Sequence, residues 1–300
     1  MAARFWRCVL GCELFVAAMI AWLCTPARDW PAALALALGL FVAMQFLLVG
    51  ASLLAARLTG GKTRSGTGYG LRAWVSESLH FLHVQLAMSA PRAGAARRCP
   101  PSEPAQRPLL MLHGILCNHA VWRRLGRRLA AAGFAPITAP DFEPLDAGID
   151  DYRACAEREL LALHGQCRAP VAIVAHSMGG LVARSLLATL GPEVISGVVT
   201  VASPHHGTTL ARCLPLAGAR QMRPDSEWLA ALNAAQEGRF PVPLTSIHGR
   251  EDNLVVPAQS AVLRGAESCE LRGLGHFGLL RSRRSLEAIV NALVRHAGRT

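Results

Sequence analysis

The stretch Val171-Ala-Ile-Val-Ala-His-Ser-Met-Gly-Gly180 decides the fold. Its first five residues form an apolar run typical of a buried strand, and an apolar helical pattern begins directly at Met178. So sharp a turn between strand and helix strains the backbone at Ser177 and pushes its hydroxyl out above the sheet. Such a turn needs small residues two positions before and after the serine, and Ala175 and Gly179 meet that need. Ser177 is therefore the candidate nucleophile.

Short apolar runs alternate with helical stretches on both sides of this turn. That alternation predicts a mainly parallel sheet covered by helices on both faces, an α/β fold. The predicted strands are 109–112, 135–139, 171–175, 194–201, 244–248 and 269–271, and the predicted helices are 119–132, 151–166, 178–190 and 285–296. Residues 203–242 contain no predicted strand and separate two strands expected to be neighbours. We therefore expect a lid-like insertion there, over the strand ends.

A serine nucleophile needs a base, and the chain has eleven histidines. His276 lies in a glycine-rich loop after the last predicted strand, at the sheet edge that Ser177 should face, and we predict that it is the base. His248 ends a predicted strand and is expected to be a packed or hydrogen-bonded structural residue. His176 is expected to direct its side chain away from the neighbouring serine.

The base in turn needs a carboxylate to hold its tautomer. Asp252 follows the penultimate predicted strand, and the segment 255–257 (Val-Val-Pro) after it should fix that loop, which favours Asp252. Glu251 is adjacent and is not excluded by spacing. Asp225, inside the insertion, is the third choice.

Two backbone N–H groups are predicted to stabilise an oxyanion. The segment 113–115 (His-Gly-Ile) follows the first predicted strand, so the N–H of Ile115 is one donor. The N–H of Met178, at the start of the helix after the nucleophile, is the other. His113 is expected to be a structural residue bonded to backbone in its loop.

The overall hydrophobic content is 52%, and its excess over that of an ordinary globular protein lies almost entirely in the first sixty residues. Residues 8–24 are apolar except for Glu13, and residues 32–56 carry no charge. These runs predict two transmembrane helices that form a hairpin within 1–58. Basic residues before and after the hairpin outnumber the single arginine in its turn, which predicts an inner-membrane protein with its catalytic domain in the cytoplasm. A signal peptide is the competing interpretation, which Glu13 and Pro26 disfavour.

Residues 59–108 are predicted to be a linker that contains an amphipathic helix, and residues 109–300 to be the catalytic domain. The linker is glycine-rich at 60–70 and rich in Pro, Ala and Arg at 90–108. Between them an apolar stripe recurs at helical spacing: Leu71, Trp74, Val75, Leu79, Leu82 and Leu86. We expect that stripe to pack on the catalytic domain rather than lie on the bilayer.

Composition and spacing disfavour several other classes of function. The net charge of +11 comes from scattered arginines without an aromatic-and-basic motif, so we predict no nucleic-acid partner. Nine dispersed cysteines suit a reducing compartment better than a disulfide framework. His205 and His206 are adjacent and lack further ligands at metal spacing, so we predict no metal and no cofactor. The oligomeric state stays open.

Residues 109–297 resemble the small bacterial lipases and esterases of the α/β-hydrolase superfamily. The resemblance lies in Ala175-His-Ser-Met-Gly-Gly180, the early His-Gly-Ile, the segment 202–208 (Ala-Ser-Pro-His-His-Gly-Thr) and the segment 221–229 (Gln-Met-Arg-Pro-Asp-Ser-Glu-Trp-Leu). Ala175 stands where the superfamily usually has glycine, a departure that the small lipases share. The resemblance implies hydrolysis of a carboxylic ester or lipid-like substrate through Ser177, His276 and Asp252, by way of an acyl-enzyme. An acyltransferase or thioesterase with the same residues is the alternative, and a non-enzymatic membrane scaffold is the third.

Overall fold

The computed structural model describes residues 1–25, 29–59, 70–90 and 107–298. Residues 26–28 of the predicted hairpin turn and most of the two predicted linker stretches, 60–70 and 90–108, therefore lie outside the described residues.

Six parallel strands form one sheet, as the alternation of the sequence predicts. Their order is β2-β1-β3-β4-β5-β6. The strands are β1 Arg107–Leu112, β2 Phe134–Thr138, β3 Val171–His176, β4 Ile195–Val201, β5 Leu244–Gly249 and β6 Glu267–Leu271. Every residue of β3 is buried, because helices cover the centre of a parallel sheet on both faces. The continuous apolar run before Ser177 is what such a position requires.

Ten α-helices and three short 3-10 helices occupy the described residues. The α-helices are α1 Ala2–Cys24, α2 Trp30–Thr59, α3 Leu71–Ser89, α4 Arg123–Ala131, α5 Ile149–Cys167, α6 Met178–Thr189, α7 Ala217–Gln221, α8 Glu227–Gln236, α9 His276–Arg281 and α10 Arg283–Ala297. The 3-10 helices are His119–Trp122, Thr209–Cys213 and Ala258–Ala261. The predicted helix 119–132 is thus divided, since Asn118 caps a tight first turn through its side chain. α9 was not predicted, because the glycines around His276 indicate a loop.

The sheet separates two apolar cores, and the side chains of β1 alternate between them. Leu110 and Leu112 pack with α5 and α6 on one face. Leu109 and Met111 pack with α4 and α10 on the other. The loops at the carboxyl ends of the central strands therefore lie on a buried part of the sheet, and parallel sheets place their sites at these strand ends.

The lid-like insertion predicted at 203–242 is present and contains helices but no strand. Its second half is fixed to the core by Arg184 of α6, which is 1% exposed. The guanidinium donates from Nε to Oε1 of Gln236 at 2.7 Å and from Nη2 to Oδ1 of Asn233 at 2.9 Å, both in α8. The first half, around Thr209–Cys213, lies nearer to Ser177.

The three N-terminal helices pack on one another and on the α/β domain that follows them. Glu13, the interruption of the first apolar run, is nearly buried and accepts from the side-chain amides of Gln45 at 3.0 Å and Gln85 at 2.8 Å. One carboxylate thus joins α1, α2 and α3.

α3 packs on the catalytic domain as expected, but with a different face from the predicted stripe. Its buried side chains include Glu77, Val84 and Met88, whereas Leu79 and Leu86 of the predicted stripe are exposed. The prediction of the buried face was wrong because that face carries polar residues that bond to other elements. Hydrophobic periodicity assigns such polar residues to the solvent-exposed face of a helix.

Candidate active site

Ser177 occupies the strained turn that its sequence context predicts. Its φ of 55° and ψ of −126° lie outside the regions that ordinary residues adopt. The backbone N–H of Ser177 donates to the carbonyl of Val201 at 2.9 Å, which holds the turn against β4. On the other side, a Cβ at Gly179 would lie 2.4 Å from the carbonyl oxygen of Leu112. Only glycine fits there, so β3 can turn into α6 within one residue.

His276 and Asp252 form a buried hydrogen-bonded pair. His276 Nδ1 lies 3.0 Å from both carboxylate oxygens of Asp252. Since a carboxylate only accepts, Nδ1 carries a proton and Nε2 is left as the basic atom. Asp252 Oδ1 also accepts from the N–H groups of Leu254 at 2.8 Å and Val255 at 2.9 Å, so its orientation is fixed by backbone.

Burial and neighbouring charges act on the pKa of His276 in opposite directions. Burial alone would lower that pKa, but the charge and hydrogen bond of Asp252 and the charge of Glu77 together outweigh it. The pKa of His276 is therefore raised above its ordinary value. The imidazolium that would form on proton abstraction is thus stabilised.

The two alternative carboxylates bond to other groups. Glu251 accepts from the backbone N–H of Gly273 at 2.8 Å on the exposed side of the loop. Asp225 forms an ion pair with Arg212 at 2.9 Å, with both side chains more than half exposed. Asp252 is the carboxylate that the fold brings to His276.

Ser177 and His276 lie in the wall of one largely apolar cavity of about 430 Å³. That volume is within the range of roughly 300–1,000 Å³ typical of small-molecule sites. The insertion contributes Leu210 and Leu214 to the wall of the cavity. Leu229 and Leu232 of the insertion pack in the core. The cavity is shaped for an apolar ligand that reaches the serine.

The two predicted oxyanion donors flank Ser177. Ile115 lines the cavity, and the loop that carries it runs against the serine: a Cβ at Gly114 would lie 2.9 Å from Ser177 Cβ and 3.4 Å from Oγ. Met178 begins α6, where the first N–H groups have no acceptor within the helix. Its side chain is buried in the core. The oxyanion role of both groups stays a prediction.

His113 and His248 are bonded as structural residues, as expected. His113 Nε2 accepts from the N–H of Phe142 at 3.1 Å, and its Nδ1 therefore donates to the carbonyl of Gly114 at 2.9 Å. Burial lowers the pKa of His113, which agrees with a neutral ring. His248 Nε2 bonds to Ser268 Oγ at 2.9 Å.

His176 does not point away from the site, and that expectation was wrong. Its ring lines the cavity, with its centroid 4.7 Å from the ring centroid of His276. Alternation along a strand no longer separates neighbouring side chains where the chain turns sharply at Ser177. Burial, and then the charge of His276, hold the pKa of His176 well below its ordinary value, so it is a neutral packing partner.

Two residues that touch the His276 segment were missed by sequence reasoning. Glu77 of α3 is 1% exposed and accepts from the N–H groups of Phe277 at 2.7 Å and Gly278 at 2.8 Å. Asn253 accepts from the N–H of His276 at 3.0 Å through Oδ1. Glu77 is about 200 positions away in the chain, and no local spacing points to it.

Metal ligation was not expected, and within the described ranges no group of three or more His, Cys, Asp or Glu side chains is arranged to hold an ion. His205 is buried, with Nε2 3.0 Å from Thr200 Oγ1. The absence of a metal stays a prediction.

The sequence profile of the alpha/beta hydrolase family matches residues 109–270, more than half of the chain. The chain belongs to the alpha/beta hydrolase family. The resemblance that the turn at Ser177 suggests is thereby confirmed at the level of family and fold.

A known lipase is similar to part of this chain. The chain is 30% identical over 119 residues to the triacylglycerol lipase of Pseudomonas fragi, a match that covers 37% of this chain and 39% of that lipase. The chain thus spans about two fifths of the curated relative it matches.

Two solved lipases share the fold. Lipase BlEst2 of Bacillus licheniformis, in its mature form, has a TM-score of 0.56 at 16% identity, over 64% of this chain and 93% of that one. Lipase B of Aspergillus fumigatus has a TM-score of 0.56 at 17% identity, over 63% of this chain and 52% of that one. At these identities the likeness shows the fold alone.

Proposed function

We propose that this hydrolase cleaves carboxylic esters, as a lipase or esterase, with Ser177, His276 and Asp252 as its catalytic residues. One observation carries the proposal: a buried carboxylate–imidazole pair lies beside a strained serine on the wall of an apolar cavity. The matched triacylglycerol lipase supports an acyl ester or lipid-like substrate.

The reaction follows from the protonation states of these groups. Ser177 Oγ attacks the acyl carbon while His276 Nε2 takes its proton, and the N–H groups of Ile115 and Met178 stabilise the oxyanion. The alcohol then leaves with the proton from His276, so an acyl-enzyme remains. Water attacks this ester with the same base, and the acid departs. Asp252 holds Nδ1–H throughout, which keeps Nε2 available.

Acyl transfer and thioester hydrolysis by the same residues are the alternatives. They differ only in the acceptor of the acyl group or in its leaving group. Product analysis with an added alcohol separates them: an ester of that alcohol indicates transfer, and free acid alone indicates hydrolysis.

Hydrolysis of p-nitrophenyl esters of rising chain length tests the proposal. We expect the full chain to be active and Ser177→Ala to lose activity by a factor on the order of 10⁴ or more, since the nucleophile is gone. Equal rates for the two proteins would reject Ser177 as the nucleophile.

We propose in addition that α1 and α2 anchor the enzyme in the inner membrane as a hairpin, with the catalytic domain in the cytoplasm. Both helices are long and apolar enough to cross a membrane by length and composition. α2 has 30 residues, about 45 Å of helix against a hydrocarbon core of about 30 Å. The corresponding division is a hairpin at 1–58, a linker with α3 at 59–108 and the catalytic domain at 109–300.

A further inference from the structure

We infer that the last turns of α2 form one wall of the acyl site, and that this wall admits the acyl chain of a membrane lipid to Ser177. The inference rests on the proposed ester hydrolysis and adds a substrate class to it. It also assigns a catalytic use to a helix that lies outside the family match at residues 109–270.

The cavity at Ser177 is completed by α2. Ala51, Ser52 and Ala55 of that helix line it together with Ser177 and His276. These three positions share one helix face, because residues three and four apart are neighbours on a helix. Their small side chains leave volume open beside the helix.

Hydrogen bonds fix this wall to the His276 segment. Asn253 donates from Nδ2 to Ser52 Oγ at 2.8 Å, and its Oδ1 accepts from the N–H of His276 at 3.0 Å. One side chain therefore connects the apolar helix to the backbone of the proposed base. At the end of α2, Thr209 Oγ1 donates to Thr59 Oγ1 at 3.1 Å, which ties the helix to the insertion.

The N-terminal end of α1 contacts the same edge of the sheet as the C-terminal end of α2. Trp6 Nε1 donates to the carbonyl of Leu116 at 2.6 Å, in the loop after β1 that also carries Ile115. Both hairpin helices therefore stand on the face where the strands end and where Ser177 lies. A membrane around the hairpin would meet the mouth of the site.

The surface of α2 beside the cavity is apolar and exposed. Leu47, Leu54 and Leu58 are 70%, 57% and 77% exposed. Arg57 stands in the last turn of the helix, about 9 Å along the axis from Ala51. Basic residues near the end of an apolar helix mark the level of the lipid headgroups. The lining residues of α2 thus lie at the boundary between headgroups and hydrocarbon, where the ester groups of a lipid are found.

The chemistry of the cavity selects the acyl part of such a lipid. The insertion and α2 give it mostly apolar walls. Among the described residues, no Asp, Glu, Lys or Arg side chain lines it to bind a headgroup. The expected substrate is an acyl ester in the leaflet, with its chain against α2 and its headgroup outside.

Filling the α2 wall tests the inference. The full chain is placed in vesicles of phosphatidylethanolamine and phosphatidylglycerol and assayed with p-nitrophenyl butyrate and p-nitrophenyl dodecanoate. For Ala55→Trp we expect the ratio of dodecanoate to butyrate kcat/KM to fall at least tenfold, because the indole occupies the chain's space. The matched control is Leu54→Trp, one residue away on the exposed face, which should leave the ratio within about twofold. Equal ratios in Ala55→Trp and wild type would overturn the inference.

The same vesicles test the route. The initial rate of p-nitrophenyl dodecanoate hydrolysis should be several times higher when the ester is in the same vesicles as the protein than when it is supplied in separate vesicles. Equal initial rates would contradict access from the membrane.

Two controls keep the outcomes separate. Labelling of Ser177 by a fluorophosphonate shows that Ala55→Trp is folded, and Ala55→Leu replaces it if it is not. Butyrate hydrolysis without dodecanoate hydrolysis by the wild type rejects the lipid route and leaves the proposed function standing. Failure with both esters rejects the function itself.

Discussion

His276 and the two residues after it are held by two carboxylates from distant parts of the chain. Asp252 bonds to the ring, and Glu77 binds the backbone of the next two residues. In the proposed reaction Asp252 holds the Nδ1 proton of His276, whereas Glu77 holds the start of the helix that His276 begins. Each can be tested separately.

Asp252→Asn is expected to lower kcat by about 10³–10⁴-fold, because a neutral amide removes the charge and allows the wrong histidine tautomer. The pKa of His276 is raised partly by Asp252, so the acidic limb of kcat/KM should also move to lower pH. A pH–rate profile with p-nitrophenyl butyrate measures both. The control is Glu251→Gln, which should stay within about twofold. A loss in that control equal to the loss in Asp252→Asn would reassign the acid.

Glu77 should make stability depend on pH. Burial raises the pKa of Glu77 from 4.5 to about 7, although the N–H groups of Phe277 and Gly278 and the charge of His276 lower it. Between those pH values the folded protein keeps a proton that the unfolded chain has released, so the free energy of unfolding falls as pH rises. The full shift corresponds to about 3 kcal/mol. The neighbouring groups that also titrate or carry charge are His276, Asp252 and His80.

Glu77→Gln removes that titration. The Tm of the wild type minus the Tm of Glu77→Gln, measured in detergent, is expected to decrease from pH 5 to pH 8. The amide also loses one acceptor for the two N–H groups, but that loss does not vary with pH. A difference that stays constant over this range would rule out an ionising Glu77.

Local motifs made Ser177, His276 and Asp252 predictable. Each follows a strand end in chain order, and the carboxyl ends of parallel strands meet at one edge. Glu77 and Asn253 were not predictable, because their roles depend on contacts between the catalytic domain and helices outside it. The inward ring of His176 was missed for a related reason, since a turn overrides the alternation of a strand.

At the scale of elements, the turn from β3 into α6 is the most constrained part of the site. A methyl group at Gly179 would meet the backbone of β1 at 2.4 Å, and backbone cannot move aside without disturbing the sheet. Gly179→Ala is therefore expected to destabilise the protein by about 3 kcal/mol or more, or to prevent folding. Thermal unfolding and ester hydrolysis measure the effect.

Gly165→Ala is the matched control for that prediction. Gly165 lies in α5, and a Cβ at this position would meet no neighbouring side chain or loop within 4 Å. Alanine there should be neutral or stabilise by about 0.5–1 kcal/mol, because it restricts the unfolded chain. A wild-type Tm in Gly179→Ala would contradict the account of the turn.

The elements themselves were mostly predictable where apolar periodicity was strong. All six strands were expected within a few residues of their observed ends, and the strandless insertion was expected as well. α9 was missed because its glycines indicate a loop. Glu77 nevertheless accepts from N–H groups in the first turn of α9 and so stabilises the helix. The buried face of α3 was misread because Glu77 and Gln85 find buried partners on other helices.

At the scale of the whole molecule, both hairpin helices contact the catalytic domain at the edge of the sheet where the proposed site lies. The hydrogen bonds of Trp6 and Ser52 reach loops on the same edge of the sheet. This arrangement supports the proposal that both ends of the hairpin lie on the side of the catalytic domain. The sequence indicated the hairpin by hydropathy, but not that it would line the cavity.

A topology reporter tests the cytoplasmic placement. Alkaline phosphatase, which is active only in the periplasm, is expected to be inactive when fused after residue 298. The control is the same reporter fused at Asp29, in the turn between α1 and α2, where we expect activity. An active C-terminal fusion would overturn the cytoplasmic placement.

The central claim is that Ser177 is a nucleophile activated by His276. A fluorophosphonate probe reports it directly, since Oγ forms a bond to phosphorus as fluoride leaves. Intact-mass measurement of the full chain should show one adduct, and peptide mapping should place it on Ser177. The adduct should be absent in Ser177→Ala and form far more slowly in His276→Ala. A folded wild-type protein without an adduct on Ser177, or with the adduct on another serine, would contradict the account.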